Sequence, residues 1–286
     1  MYKYLFLLVA LSMAACQQAS DEKAAPALAD ILAAQPADVR ARYPFRHPQE
    51  TLEFFEIEPG MTVAEGLPGG GWYTKVLAAY LGSDGHVIGI SYAMDMWPLF
   101  SFGNEEYVQR KSTWTTDFPA DADEWRDENS ATISAHRFGS VPSETAGTAD
   151  VVFFARVLHN LANFENAGEG AFLQIALVDA YTILKPGGVF GVVQHHARDE
   201  MSDEFANGTH GYLKKDFVIG QVESIGFEFV GDIDINANAK DQPSEDDIVW
   251  RLPPSYATSE DDAELRAAVD AIGESNRMTL KFRKPE

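Results

Sequence analysis

The sequence predicts an α/β fold in which a doubly wound, mostly parallel sheet is covered by helices on both faces. From residue 48 onward, short apolar runs alternate with helical segments, and the runs at residues 150–154 and 189–193 are continuously apolar. A glycine-rich loop at residues 66–71 lies between a predicted strand and a predicted helix. With 286 residues and 45% hydrophobic content, the chain can form one such domain with extensions.

The first half of this domain begins with a helix at residues 49–56 and a Glu-Pro-Gly turn. A short strand at residues 61–65 then leads into the glycine-rich loop. The loop opens a helix at residues 72–81, which a Gly-Ser-Asp-Gly segment ends, and residues 86–91 form the next strand. Residues 92–128 mix aromatic, acidic and proline residues without a clear period, which predicts helices and loops.

The second half continues the alternation. The strand at residues 150–154 is followed by a helix at 172–184, a Lys-Pro-Gly-Gly break and the strand at 189–193. A helix at 214–225 and a strand at 227–235 come next, and residues 278–282 form the final strand. The connection at residues 236–277 is rich in acids and prolines, and it predicts a surface excursion containing a helix at 261–272.

The amino end, residues 1–15, predicts a signal peptide because its apolar stretch is too short to span a bilayer. Met-Ala-Ala-Cys at residues 13–16 resembles the lipobox of bacterial lipoproteins, which implies cleavage before Cys16 and acylation of that cysteine. Gln17 after the cysteine implies the outer membrane, with the domain facing the periplasm. The alternative is a plain secretory signal with an incidental cysteine.

Residues 16–40 are expected to form a flexible tether, because their first twenty residues are rich in Ala, Gln, Asp and Pro. Residues 41–286 form the predicted domain. The formal net charge of −22 repels phosphate backbones, so nucleic acid is excluded as a partner, and a lipid anchor is the only expected contact with a membrane. A small molecule is the expected ligand.

The glycine-rich loop offers backbone without side chains where a ligand can approach the amino end of a helix. A turn between a strand and a helix requires glycine in any case, so the loop alone leaves ligand binding open. The order of the other motifs supports binding: a strand leads into Arg156 and His159-Asn160, and Leu-Lys-Pro-Gly-Gly-Val-Phe follows at residues 184–190.

This order resembles class I S-adenosylmethionine-dependent methyltransferases. The Pro-Gly-Gly-Gly-Trp-Tyr-Thr loop at residues 68–74 is similar to that of a group of predicted, often exported methyltransferases, and the resemblance covers residues 48–285. It implies a Rossmann-like sheet with an antiparallel last strand, and S-adenosylmethionine as cofactor. The residues that would bind this cofactor are Glu65, Gly69, Gly70, Gly71, Tyr73 and Ser91.

Two positions depart from the methyltransferase pattern. Leu67 stands where the first glycine of the loop is usual, and Ser91 ends the second strand where an acidic residue commonly binds the ribose hydroxyls. Export also separates a protein from the cytoplasm, where S-adenosylmethionine is made. These observations favour the alternative that the chain is an exported small-molecule-binding protein or altered enzyme that retains the fold.

Residues that follow the parallel strands are expected to converge at one edge of the sheet. His159 is the predicted general base, Asn160 orients the substrate, and His195 shares the site. Capping or turn roles are open alternatives for His159 and Asn160. Other residues expected at this edge are His196, Asn236, Asn238 and Arg277. No helical His-x-x-x-His spacing is present, so a metal is not predicted.

Together these features predict a lipid-anchored, S-adenosylmethionine-dependent methyltransferase that acts on an unidentified small molecule.

Overall fold

The computed structural model describes residues 27–286, which form a seven-stranded mixed sheet flanked by helices. The strands are β1 (Thr62–Gly66), β2 (His86–Ser91), β3 (Thr132–Arg137), β4 (Ala149–Ala155), β5 (Leu184–His195), β6 (Glu228–Ile233) and β7 (Arg277–Arg283). Their order across the sheet is β3-β2-β1-β4-β5-β7-β6. Strands β1 to β5 run parallel, whereas β7 is antiparallel to both β5 and β6.

Helices cover both faces of this sheet. They are α1 (Leu28–Ala34), α2 (Ala37–Arg40), α3 (Tyr43–Arg46), α4 (Pro48–Phe54), α5 (Trp72–Leu81), α6 (Glu105–Ser112), α7 (Trp114–Ala122), α8 (Leu158–Asn166), α9 (Phe172–Ile183), α10 (Lys215–Ser224) and α11 (Ala263–Ile272). Within residues 27–286, no helix combines the length and the apolar character needed to cross a membrane.

The two faces of the sheet have separate hydrophobic cores. Successive side chains of a strand point to opposite faces. In β4, Val151 and Phe153 therefore pack with α1, α4 and α5, whereas Val152 and Phe154 pack with α8, α9 and α10. Burial on both faces explains why β4 and the second half of β5 are continuously apolar in sequence.

This architecture confirms the predicted doubly wound α/β fold, including the antiparallel last strand. The predicted helix at residues 72–81 and the predicted strand at 86–91 have the observed bounds of α5 and β2. Strand β3 was not predicted. It lies at the edge of the sheet, and its residues are only partly buried and mix polar with apolar types.

The expectation of a flexible tether up to residue 40 is wrong for residues 28–40. This segment forms α1 and α2, and Leu28 and Leu32 are buried against α5 in the core. Two leucines four residues apart form a short apolar stripe, which is inconspicuous within an alanine-rich region. The folded domain therefore includes at least the thirteen residues before the expected start at residue 41. The predicted signal peptide and Cys16 lie outside the described residues.

Candidate functional site

A cleft of about 280 Å³ lies at the carboxyl edge of the parallel strands. It is located at the topological switch point, because β1 leads to β2 on one side of the sheet and β4 leads to β5 on the other. We call it the first cleft. It is lined by Leu67, Tyr92, Ala155, Arg156, His159, Asn160, His195, Val249, Trp250, Leu252, Pro253, Pro254, Ser255, Glu274 and Ser275.

His159 enters the first cleft from the first turn of α8. The side-chain amide nitrogen of Gln194 lies 3.3 Å from Nδ1 of His159, within hydrogen-bonding distance. Burial lowers the pKa of His159 to about 4; the Gln194 contact opposes this effect and the charge of Arg156 adds to it. The imidazole is neutral at pH 7, but its low pKa makes it a weaker base than an ordinary histidine.

His195 and Asn160 are each held by one polar partner. Nδ1 of His195 lies 2.6 Å from the hydroxyl of Ser275, and burial, followed by the proximity of His159, keeps the pKa of His195 well below its usual value. Nδ2 of Asn160 donates a 3.1 Å hydrogen bond to the hydroxyl of Tyr92, which follows β2. The predicted catalytic residues His159, Asn160 and His195 therefore do lie together.

Four arginines lie around a carboxylate that lines the first cleft, and three of them are paired with it. Glu274 is paired with Arg42 at 2.5 Å, with Arg277 at 3.1 Å and with Arg46 at 3.4 Å. Burial raises the pKa of Glu274, but the arginines, Arg277 foremost, outweigh burial and hold that pKa below its ordinary value. Burial and then the charge of Arg156 lower the pKa of Arg46 to about 9, so its guanidinium remains charged at pH 7.

Arg156 completes an arginine cluster with Arg42, Arg46 and Arg277. It is the member of this arginine cluster that lines the first cleft. Its backbone is in the left-handed region, with φ of 62°, at the point where the chain leaves β4. Among residues 27–286, its side chain has no hydrogen-bonding partner and no ion pair. Burial and then the charge of Arg277 lower its pKa to about 10, so it too is charged at pH 7. A non-glycine residue in this conformation is uncommon and indicates a local constraint.

The excursion between β6 and β7 supplies the apolar wall of the first cleft through residues 249–255. A buried polar triad fixes this wall. Tyr212 donates a 2.9 Å hydrogen bond to Asp241, and Arg251 contacts both residues, at 2.9 Å from the Tyr212 hydroxyl and at 2.8 Å from the Asp241 carboxylate. Since all three side chains are buried, the triad ties the wall to the segment that precedes α10.

A second cleft, of about 440 Å³, lies farther along the same edge, beyond β2 and β3. Residues 93–96 form one side, and Phe138, Gly139 and Ser140 form the other. The only carboxylate that lines it is that of Asp95. Asp95 lies four positions beyond Ser91, the end of β2 at which an acidic residue is usual, and it was not predicted.

The glycine-rich loop comes between β1 and α5. Gly66 lies so close to Phe154 that an added Cβ would be 2.5 Å from its ring, whereas Gly70 has open space around it. Gly69 and Gly71 have φ of 59° and 75°, which favour glycine. Of this loop, only Leu67 lines the first cleft. Gly69, Gly70 and Gly71 form the turn into α5 without lining either cleft.

The remaining expected cofactor contacts point into the protein. The Glu65 carboxylate accepts a 2.6 Å hydrogen bond from Thr74, and burial raises the pKa of Glu65 to about 7. Tyr73 packs edge-on against Phe153 in the core, so its expected position over a ligand differs from the observed one. Ser91 is buried at the end of β2 and lines neither cleft.

Other residues expected at this edge have structural contacts. Asn236 donates hydrogen bonds to Thr51 and Thr279, and Asn238 donates to the carbonyl oxygens of Ile272 and Glu274. His196 lines neither cleft, consistent with adjacent strand residues facing opposite ways. Arg277 belongs to the arginine cluster. Within residues 27–286, no group of three or more His, Cys, Asp or Glu side chains is arranged to hold a metal ion.

Comparison of the sequence with protein-family models and with curated proteins finds no match. Solved structures do share the fold. The Haloferax volcanii complex of the Trm112 methyltransferase activator with a predicted methyltransferase contains a chain similar to this one, with TM-score 0.50 and 15% identity, over 91% of this chain and 98% of that one. An S-adenosylmethionine-dependent methyltransferase from Aquifex aeolicus has TM-score 0.48 and 13% identity, with 91% and 99% covered. Together with the strand order, the first similarity establishes the Rossmann-like fold of class I methyltransferases.

Proposed function

We propose that the protein is an S-adenosylmethionine-dependent methyltransferase that acts on a small molecule. The observation that carries this proposal is the placement of two clefts and a glycine-rich loop at one edge of a class I methyltransferase sheet, with the first cleft at its switch point. Because a fold alone does not establish a reaction, the proposal depends on whether the residues at this edge suit the cofactor and an acceptor.

The residues present fit S-adenosylmethionine. The second cleft offers apolar walls for a nucleoside base and the Asp95 carboxylate for ribose hydroxyls. The open space around Gly70 lets a ligand approach the backbone at the amino end of α5. Bound there, the cofactor would supply an electrophilic methyl group on a sulfonium.

The chain's own residues would then position the acceptor in the first cleft. Trp250 and the prolines of residues 253–254 limit access of water, and the amide of Asn160 and the imidazole of His159 offer polar contacts. With a pKa of about 4, the neutral imidazole of His159 offers a hydrogen-bonding contact to the acceptor, while proton removal is left to solvent or to the acceptor's own acidity. Positioning therefore contributes more than strong base catalysis.

A charge inserted into the loop tests the cofactor assignment. Gly70→Asp places a carboxylate in the open space at the loop, and it should weaken binding of S-adenosylhomocysteine at least tenfold by calorimetry. Gly220→Asp makes the same change on α10, also without a steric contact, and serves as the matched control. Equal affinities of the two variants would contradict the assignment.

The second candidate is an exported small-molecule-binding protein that retains this fold without methyl transfer. The inward orientation of Glu65 and the burial of Ser91 favour it, because these two residues are then unavailable to a cofactor. This candidate predicts no saturable binding of S-adenosylmethionine at millimolar concentration.

We further propose that the protein is anchored to the outer membrane, facing the periplasm, through acylated Cys16. The proposal is supported by the lipobox-like segment that ends at this residue. Mass spectrometry of the membrane fraction should find a diacylglyceryl-type modification on an amino-terminal Cys16, and Cys16→Ser should release the protein. Retention of the signal peptide, or an unmodified cysteine, would contradict the anchor.

A further inference from the structure

The charge balance of the arginine cluster beside the first cleft is the opposite of that of the whole chain. The chain has a formal net charge of −22, yet the arginine cluster places four guanidinium groups around the single carboxylate of Glu274. Three of these arginines are paired with Glu274, and Arg156 is not. A surplus of buried positive charge is costly unless an anion compensates it.

Within the described part of the chain, Arg46 also has a guanidinium nitrogen that lacks a hydrogen-bonding partner. Its side chain is 2% exposed, and its Nη1 atom is buried without a hydrogen-bonding partner among residues 27–286. The Arg46 guanidinium stacks on the Trp72 ring, with Cζ 4.4 Å from the ring centroid, so it is fixed in place. The partner that this cluster lacks is an acceptor with negative charge.

We propose that the methyl acceptor is a small anion whose acid group is bound by Arg156 in the first cleft. Arg156 lines the cleft together with His159, Asn160 and Trp250, and a guanidinium can pair with a carboxylate through two parallel hydrogen bonds. The inference depends on the proposed function only in naming the anion a methyl acceptor, because anion binding itself requires no methyl transfer.

The position of Arg156 favours the acceptor over the cofactor as the source of this anion. Arg156 follows β4, so it lies on the side of the switch point that leads to β5 and to the wall at residues 249–255. The second cleft and Asp95 lie on the opposite side, beyond β2 and β3. A cofactor that extends from the second cleft over the glycine-rich loop leaves the far end of the first cleft to another molecule.

The test compares Arg156→Gln with Arg110→Gln. Both variants remove one positive charge, but Arg110 lies on α6 in an exposed pair with Glu106. Arginine and glutamine both have an unbranched Cβ, so Arg156→Gln adds no backbone strain to the left-handed conformation at residue 156. The melting temperature is measured against acetate concentration at constant ionic strength, with chloride as the balancing anion.

The wild-type protein and Arg110→Gln should be stabilised saturably by acetate. In Arg156→Gln, the acetate concentration needed for half of this effect should rise roughly 10- to 100-fold, as expected for the loss of a charge-assisted contact. Without acetate, Arg156→Gln should melt no lower than wild type, because removing the unpaired charge relieves repulsion within the cluster. A residue with only a structural role would instead lower the melting temperature in both conditions.

A second measurement shows whether Arg156 binds the acceptor or the carboxylate of the cofactor. Calorimetry with S-adenosylhomocysteine should give affinities for wild type and Arg156→Gln that agree within threefold. If Arg156→Gln loses S-adenosylhomocysteine affinity tenfold but binds 5′-methylthioadenosine as wild type does, Arg156 contacts the carboxylate of the cofactor and the acceptor assignment is overturned.

Two further outcomes separate this inference from the proposed function. An acetate response that depends on Arg156, without any S-adenosylhomocysteine binding, would support the anion site and refute methyl transfer. An acetate response that is absent, or equal in wild type and Arg156→Gln, would refute the anion site whether or not the cofactor binds.

Discussion

The carboxylate of Glu65 accepts a 2.6 Å hydrogen bond from the hydroxyl of Thr74, so it faces α5 and neither of the two clefts. This contact joins the end of β1 to the first turn of α5 across the glycine-rich loop. Glu65 therefore fixes the shape of the loop. A substitution of Glu65 would alter ligand affinity only by changing that shape.

Glu65→Gln should stabilise the protein at alkaline pH. Burial raises the pKa of Glu65 from an ordinary value of 4.5 to about 7, so ionisation opposes folding as the pH rises through that interval. The free energy of unfolding of Glu65→Gln should match wild type near pH 4.5 and exceed it by up to about 3 kcal/mol above pH 7. Urea unfolding at both pH values measures this difference. Glu58→Gln, at an exposed position, should show none, and a loss of stability at pH 8 would contradict the account.

His159→Gln should reduce the dependence of stability on acidic pH. The folded protein holds the pKa of His159 near 4, below the unfolded value of 6.5, so the unfolded chain binds more protons between these values. Wild-type stability consequently rises with pH across this window, by at most about 1.4 kcal/mol per pH unit from this residue. Unfolding of the variant should show a shallower slope between pH 4 and 6.5. Identical slopes would mean that His159 titrates normally.

Asp241→Asn should destabilise the protein and disturb the first cleft. The change removes the charge that compensates buried Arg251 and weakens the contact with Tyr212, which we expect to cost about 3–5 kcal/mol. Because the triad fixes the wall at residues 249–255, affinity for any ligand of the first cleft should fall as well. Chemical unfolding and calorimetry measure the two effects. Asp246→Asn is the control, since Asp246 is exposed in the same excursion; equal stability of the two variants would refute the triad's role.

Leu32→Ala tests the amino-terminal boundary of the domain. Leu32 is 5% exposed and packs in the core with α5, so its truncation should cost about 2–4 kcal/mol in the free energy of unfolding. Leu265→Ala on α11 makes the same truncation at a position that is 39% exposed and should cost under about 1 kcal/mol. If the two variants are equally stable, residues 28–40 contribute nothing to the core and the tether extends as far as first expected.

The sequence predicted the sheet well where burial on both faces leaves a continuous apolar signal. Strand β4 was predicted for this reason, whereas β3, partly exposed at the sheet edge, leaves no such signal. The convergence of His159, Asn160 and His195 could also be predicted, because His159 and Asn160 follow the end of one parallel strand and His195 ends the next.

The arginine cluster could not be predicted in this way. Arg42 and Arg46 lie more than 220 residues from Glu274 in the chain, and only the packing of α3 beneath the excursion brings them together. Arg156 was recognised as a family mark, but its lack of a partner is a property of the folded structure alone. Asp95 could not be predicted from the usual position of a carboxylate at the end of β2, because it lies in the connection beyond that strand.

The central claim is that this edge of the sheet binds S-adenosylmethionine, and calorimetric titration of the purified protein with S-adenosylmethionine and S-adenosylhomocysteine tests it most directly. We expect saturable binding of both, at one site per chain, which Gly70→Asp weakens at least tenfold and Gly220→Asp leaves unchanged. No binding of either compound at millimolar concentration, by a protein that unfolds cooperatively, would contradict the account and favour a binding protein that retains only the methyltransferase fold.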